Sequence, residues 1–518
     1  MAAERQLSFT VDGRPIVVDD DGASLLEVLR DRAGVRSPKD GCSPQGQCGC
    51  CTVLVDGEPR VACVTPARRV AGRAITTVDG LGPGGERGAR WAEAFCASGA
   101  SQCGFCTPGI IVRLDALREK GATVDDIDRV ERALLAHLCR CTGWRTILDA
   151  WRAFGAPVDP ARDLSRAAQR AALEGGVPQR VNPDVALGRG GFADDTAPLD
   201  ALVAVPDGAG GWAVGETLTE ARRAAAKVQG RRTTAAVSHP VAVPAGDWDV
   251  TLQTTWVEPA YLETDASWCE PGGEPASPLA NGGAFGGKVA SNAPRTAREL
   301  ADRYGRAVRV LYSREDVVRL GPKRPPIGAG VRADGTGVVR VARTAEIGAA
   351  IASFAPSLAV EEVDVAGPPT SGALRAAGWA EAALLLAGAR GDAGEIVAPN
   401  GARARATVDH DGVHVRVAAG DPLDEVVLRS YCIGSAHMAL GWVTSEGIAV
   451  DGAGSPHDLT IRSFGILRAV DTPPITVEIE RSDEPPRNGS DAVFAAVAAA
   501  VWVAQGCPPS LPTGRSLR

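Results

Sequence analysis

The hydrophobic positions change period along the chain, and each change predicts an element. LSFTV and PIVVD alternate on either side of Asp12-Gly13, which predicts a hairpin, and TVLV and EPRV do the same around Asp56-Gly57. Between them SLLEVLRDRA has a helical period with Ser24 as N-cap. The period then lengthens to that of helices. GIIVRLDALREK opens behind Thr107-Pro108, an N-cap followed by an N1 proline, and stops at Gly121. IDRVERALLAHL follows with Thr123 and Asp126 as a weaker capping arrangement, and TILDAWRAF forms a third helix. Past residue 155 an Ala-, Arg- and Gly-rich stretch leads into short alternating strands and turns. The longest apolar run, Ala492 to Ala504, falls short of the ~20 residues that span a bilayer and reads as a core helix, so no membrane association is expected.

At one domain per roughly 150 residues, 518 residues suggest three or four domains. A net charge of −8 without a lysine or arginine run removes the electrostatic footprint of a nucleic-acid binder. The first residues, MAAERQLSFTVDG, lack the basic and apolar regions of a secretory signal, so a reducing, cytoplasmic setting is expected. Thirteen cysteines there need a role other than disulfides.

Eight of them form two groups. Cys42, Cys48, Cys51 and Cys63 are spaced C-x5-C-x2-C-x11-C among Gly41, Gly46 and Gly49, close to the plant-type ferredoxin pattern. A loop that wraps a cluster must bring backbone N–H groups onto sulfur, which β-carbons obstruct. Four-cysteine zinc sites more often pair two short CxxC knuckles. Cys103, Cys106, Cys139 and Cys141 are spaced C-x2-C-x32-C-x-C in a helical setting, where zinc and a 2Fe-2S cluster fit the spacing about equally.

Gly41-Cys42, Gly46-Gln47-Cys48-Gly49-Cys50-Cys51-Thr52, Gln102-Cys103-Gly104-Phe105-Cys106-Thr107-Pro108-Gly109 and Cys139-Arg140-Cys141-Thr142-Gly143 resemble the paired iron-sulfur domains of the xanthine dehydrogenase and aldehyde oxidase family of molybdenum hydroxylases, over residues 5 to 155. The resemblance implies that both quartets bind 2Fe-2S clusters and that Gln102 bonds the pterin of a molybdenum cofactor (molybdopterin). There are departures. Five residues rather than four separate the first two cysteines, Cys50 stands where alanine is common, and Ala136-His137 replaces a Gly-Asn pair. His137 and His437 read as packed residues rather than ligands.

Farther on, Asn281-Gly282-Gly283-Ala284-Phe285-Gly286-Gly287-Lys288, with Ala280 before it, is similar to the family's GGxFGGK segment, which implies that Gly283, Phe285 and Gly286 contact the molybdenum cofactor. Glu258-Pro259, Ser313 to Asp316, Lys323-Arg324-Pro325 and the tail from Arg429 onward also look like the ends of a molybdenum-binding subunit, whose middle is missing from the roughly 360 residues left. No Gly-Gln-Gly pterin motif is present, and Val289 stands where glutamate is common. Glu484-Pro485-Pro486 is the nearest match to the family's catalytic base, which burial would have to bring toward neutral pKa, and Arg375 corresponds to an active-site arginine.

The expected fold is α+β: a β-grasp ferredoxin-like domain over residues 1–84, a helical 2Fe-2S domain over 85–158, a linker over 159–190 and a shortened, mixed α/β molybdenum-hydroxylase-like portion over 191–518. Two functions follow. One is an enzyme that hydroxylates a small molecule (a purine, other N-heterocycle or aldehyde) at molybdenum and passes electrons through two 2Fe-2S clusters to a separate FAD-binding subunit or other acceptor. The other is an electron-transfer or scaffold subunit with a degenerate molybdenum portion, beside a separate catalytic chain. Either implies a hetero-oligomer.

Overall fold

The computed structural model describes residues 6–157, 159–226, 233–279 and 281–517. Both expected hairpins form. Asp12 and Gly13, and again Asp56 and Gly57, take left-handed φ of 50°, 79°, 49° and 80°, the two-residue turn whose twist matches its strands. The first sheet runs in the order Arg14–Asp19, Gln6–Val11, Ala74–Thr76, Thr52–Val55, Glu58–Val61. Leu7, Phe9 and Val11 turn inward, and the helical segment from Leu25 to Arg32 covers them, started by the Ser24 hydroxyl accepting the Glu27 N–H. This is the β-grasp arrangement, and it leaves residues 33–51 free to form the first cysteine loop.

The second part is four helices: Glu86–Ala97, Thr107–Glu119, Ile127–Ala133 and Arg145–Ala153. Trp91, Trp151 and Phe154 stack at their centre, 6.0 and 4.1 Å from the Trp91 ring. Helix Thr107–Glu119 starts one residue before the expected place, with Cys106 at the N-cap, so a predicted ligand sits directly at its positive end.

The stretch expected as a linker carries helix Leu164–Gly175, capped by the Asp163 carboxylate and closed by left-handed Gly176. Arg170 and Glu174 lie one turn apart on it as a fully buried pair at 2.9 Å, and Glu174 accepts the Gly489 and Ser490 N–H groups. The segment is thus a buried strut against the C-terminal half, since both charges are satisfied there.

Three four-stranded sheets and long Ala-rich helices make up the rest. Helices Glu425–Thr444 and Ser490–Ala504 pack on one another, the first also on strand Ile475–Glu480 and the second on strand Arg403–Asp409. Trp256, Ile448 and Phe464 enter the same core as the two N-terminal parts, so all three share one interior. No described helix is long and apolar enough to cross a membrane.

Candidate metal centres

The fold gathers each cysteine quartet. In the first, the Cys42 sulfur accepts the Gln45 and Gln47 N–H groups at 3.2 and 3.4 Å, and the Cys51 sulfur accepts the Cys63 N–H at 3.4 Å. Hydrogen bonds from the Cys48 and Cys63 thiols hold the Cys42 thiol well below its ordinary range, against the upward push of burial. In the second quartet Cys103 and Cys141 place their sulfurs 3.6 Å apart, and the Cys139 sulfur lies 3.0 Å from the Thr142 hydroxyl. A hydrogen bond from Cys106, helped by Thr142, brings the Cys139 thiol down to about 7. All eight are buried, and all thirteen cysteines of the chain are free thiols.

The spread of the sulfurs bears on the metal. A tetrahedral zinc with bonds of ~2.3 Å needs its sulfurs roughly 3.8 Å apart. Among the described residues the one group of three or more ligand atoms all within 4.8 Å of each other is Asp409, His410 and Asp411, on an exposed turn. The Cys103 and Cys141 sulfurs, 3.6 Å apart, are spaced to share one metal ion.

The two quartets are joined directly. Leu138, next to Cys139, donates its N–H to the Cys48 carbonyl at 2.9 Å. His137 fills the junction, its Nε2 3.3 Å from the Thr52 hydroxyl and 3.2 Å from the Gly109 carbonyl. Burial pushes that ring down to about 3, so it is neutral, and its contacts are those of a packed residue. Cys50 lies fully buried beside the first quartet.

Of the residues expected around a molybdenum cofactor, two lie on the second quartet. The Gln102 amide donates to the Cys141 carbonyl at 3.0 Å and to the Ser430 hydroxyl at 2.9 Å. Gly283, with φ of 84°, leaves no room for a side chain, because a β-carbon there would sit 2.9 Å from the Cys103 β-carbon. Ala280, at the start of that motif, is outside the described residues. Phe285, Gly286 and Arg375 meet next to this. Phe285 accepts the Arg375 N–H at 3.3 Å and lies 4.8 Å beneath its guanidinium, which also pairs with Asp491 at 3.2 Å and bonds the Ser435 hydroxyl at 3.0 Å. Glu484 is not brought to them. Its backbone carbonyl ties the turn to Asp421, while its exposed carboxylate pairs with Arg487 at 2.7 Å. The buried environment expected of a base there is absent.

A pterin-molybdenum group was tested against this geometry. The space beside Gly283 is a cavity of about 10 Å³ that Cys103, Cys106 and Cys141 of the second quartet also line, and that beside Phe285 and Arg375 is one of about 40 Å³. The second of these, which no quartet cysteine lines, admits a water or two, whereas small-molecule sites run to roughly 300–1,000 Å³. As the chain is folded, these residues do not fit that group. Charged pairs that the sequence reading missed line the place instead. Arg140 grips Glu446 with both terminal nitrogens, at 2.8 Å for one contact, and Arg324 pairs with Glu381 at 2.7 Å. The one signal for the first was the position of Arg140 between two ligand cysteines.

Comparison with known proteins agrees with this anatomy. Residues 9–72 match the model of the 2Fe-2S iron-sulfur cluster binding domain, and residues 77–152 that of the [2Fe-2S] binding domain. The chain is 41% identical over 148 residues to a xanthine dehydrogenase iron-sulfur-binding subunit of Escherichia coli O157:H7, covering 89% of that protein and 28% of this one. It is 37% identical to a nicotinate dehydrogenase small FeS subunit of Eubacterium barkeri, covering 90% of that protein and 28% of this one. By contrast it spans 12% of a Drosophila pseudoobscura pseudoobscura xanthine dehydrogenase, at 36% identity over 161 residues, 29% of this chain. Over 96% of its length it follows the fold of the aldehyde oxidoreductase of Desulfovibrio desulfuricans, with a TM-score of 0.66, 13% identity and 97% of that chain covered.

Proposed function

Because the chain belongs to the xanthine dehydrogenase and aldehyde oxidase family of molybdenum hydroxylases, we propose that it relays electrons from the hydroxylation of a purine, other N-heterocycle or aldehyde to a separate FAD-binding subunit or another acceptor. It is an oxidoreductase chain with two 2Fe-2S binding domains. In this reading Cys42, Cys48, Cys51 and Cys63 hold one cluster, and Cys103, Cys106, Cys139 and Cys141 the other. Each cluster, when bound, takes up and releases one electron, so two of them match the two electrons of RH + H2O → ROH + 2 H⁺ + 2 e⁻.

The protein's own part is positioning. The N–H groups of Gln45, Gln47 and Cys63 face sulfur and favour its negative charge. The start of helix Thr107–Glu119 does the same for Cys106. The observation that carries the reading is the hydrogen bond from Leu138 to the Cys48 carbonyl, which links ligands of the two quartets through one N–H···O contact. Free thiols throughout suit the reducing cytoplasm, where we place the protein, in a hetero-oligomer.

Two variants test this. Cys51→Ser and Cys106→Ser should each abolish one visible and paramagnetic centre and preserve the other, because the two quartets share no ligand. Loss of both centres from either variant, or of neither, would refute the assignment.

A further inference from the structure

We infer that this chain holds no pterin-molybdenum group of its own, and that the substrate is oxidised on a separate molybdenum-bearing chain which feeds these two quartets. The inference rests on the relay reading and adds where the electrons originate.

The chain itself fills the place. A β-carbon on Gly286 would lie 1.9 Å from the Ala373 carbonyl oxygen, so that glycine admits the neighbouring backbone rather than a ligand. Helix Glu425–Thr444 closes on the second quartet in the same way. Gly434 on it faces the Cys141 carbonyl, where a β-carbon would approach to 1.7 Å, and Ser430 on it accepts from the Gln102 amide. Both hydrogens of that amide are thereby used inside the protein. Arg375 is likewise occupied, by Asp491, Ser435 and the face of Phe285. Arg324 lies against Trp442 and Phe494, 4.3 and 5.1 Å from their ring centres, while pairing with Glu381.

These groups satisfy one another. Opening room for a pterin would strip Gln102 of its partners and leave the buried Arg375 guanidinium without Asp491, and buried unpaired charge is costly. Glu484, the nearest match to the family's base, is in water. A chain that cannot oxidise substrate yet keeps two electron-carrying quartets must receive its electrons from another molecule.

The test uses the full chain, produced with molybdate in a host that makes pterin-molybdenum enzymes. Iron and molybdenum are measured by mass spectrometry and pterin by fluorescence after acid oxidation. The expected result is about four irons per chain with molybdenum and pterin at background. Molybdenum and pterin at parity with the chain would overturn the inference. Because failed loading could mimic the expected result, a second measurement stands beside it. Arg375→Ala, Asp491→Ala and the double variant are compared by thermal midpoint. In the closed arrangement the double variant loses no more than the worse single one. Additive losses would mean that the two side chains act independently and would overturn the inference. A chain without iron would refute the relay reading instead, leaving the variants to decide this one.

Discussion

Gly109 offers a sharp test of how the two quartets are held together. It lies in the first turn of helix Thr107–Glu119, in ordinary helical backbone, so general helix propensity predicts that Gly109→Ala gains up to about 1 kcal/mol. The structure predicts the opposite sign. An added β-carbon would lie 2.3 Å from the Gly49 carbonyl oxygen and 3.0 Å from the Cys50 carbonyl carbon and oxygen, all backbone atoms of the first cysteine loop. Neither side can yield by rotating a side chain, so the helix and the loop must separate. Overpacking of this kind costs about 1–3 kcal/mol, and two rigid backbones place it at the upper end, for a net loss of about 2 kcal/mol after the propensity gain. Chemical unfolding followed by far-ultraviolet circular dichroism measures the loss, and iron content should remain that of the parent. The weakened contact should also lower the magnetic interaction between the two reduced centres. A Gly109→Ala protein as stable as the parent would show that the two cysteine loops do not meet as described.

Two further outcomes follow from buried charges. Glu446→Ala leaves the Arg140 guanidinium buried without its carboxylate and should cost about 3–5 kcal/mol in the same unfolding assay; a loss under about 1 kcal/mol would contradict the pairing. His437 is fully buried, sits 3.1 Å from the Leu467 carbonyl, and is pushed by burial, with Arg140 nearby, down to about 3. The unfolded ring takes up a proton below about 6.5 while the folded ring stays neutral, so its contribution is complete above that pH. It falls by about 1.4 kcal/mol per unit as pH drops toward 3. His437→Gln, whose amide reaches the same carbonyl, should flatten the fall in stability between about pH 6 and 4.5 by that amount, and an unchanged slope would refute the neutral buried ring.

The cysteine quartets were legible because a cluster needs fixed ligand spacings within continuous segments, and the hairpins because Asp-Gly turns carry their own backbone preference. The contacts of Gln102 and Gly283 with the second quartet needed the fold, since Ser430 and Cys141 meet them from far away in sequence. Glu484 shows the limit most clearly. A motif places it beside two prolines, but whether its carboxylate is buried depends on which side of the turn faces the protein, and the Asp421 N–H fixes that through the backbone. The helix at residues 164–175 was hidden by composition. Its Ala- and Arg-rich sequence reads as a linker until Glu174 and the carbonyls of Ala419, Asp421 and Pro422 are seen to satisfy Arg170.

An electron relay through this chain requires both quartets to bind iron as separate one-electron centres. Electron paramagnetic resonance during a reductive titration of the full chain, with iron counted on the same sample, measures that directly. The prediction is two distinct signals that appear on reduction, each integrating to about one spin per chain, with about four irons. A single signal, or zinc in place of iron at either quartet, would contradict it.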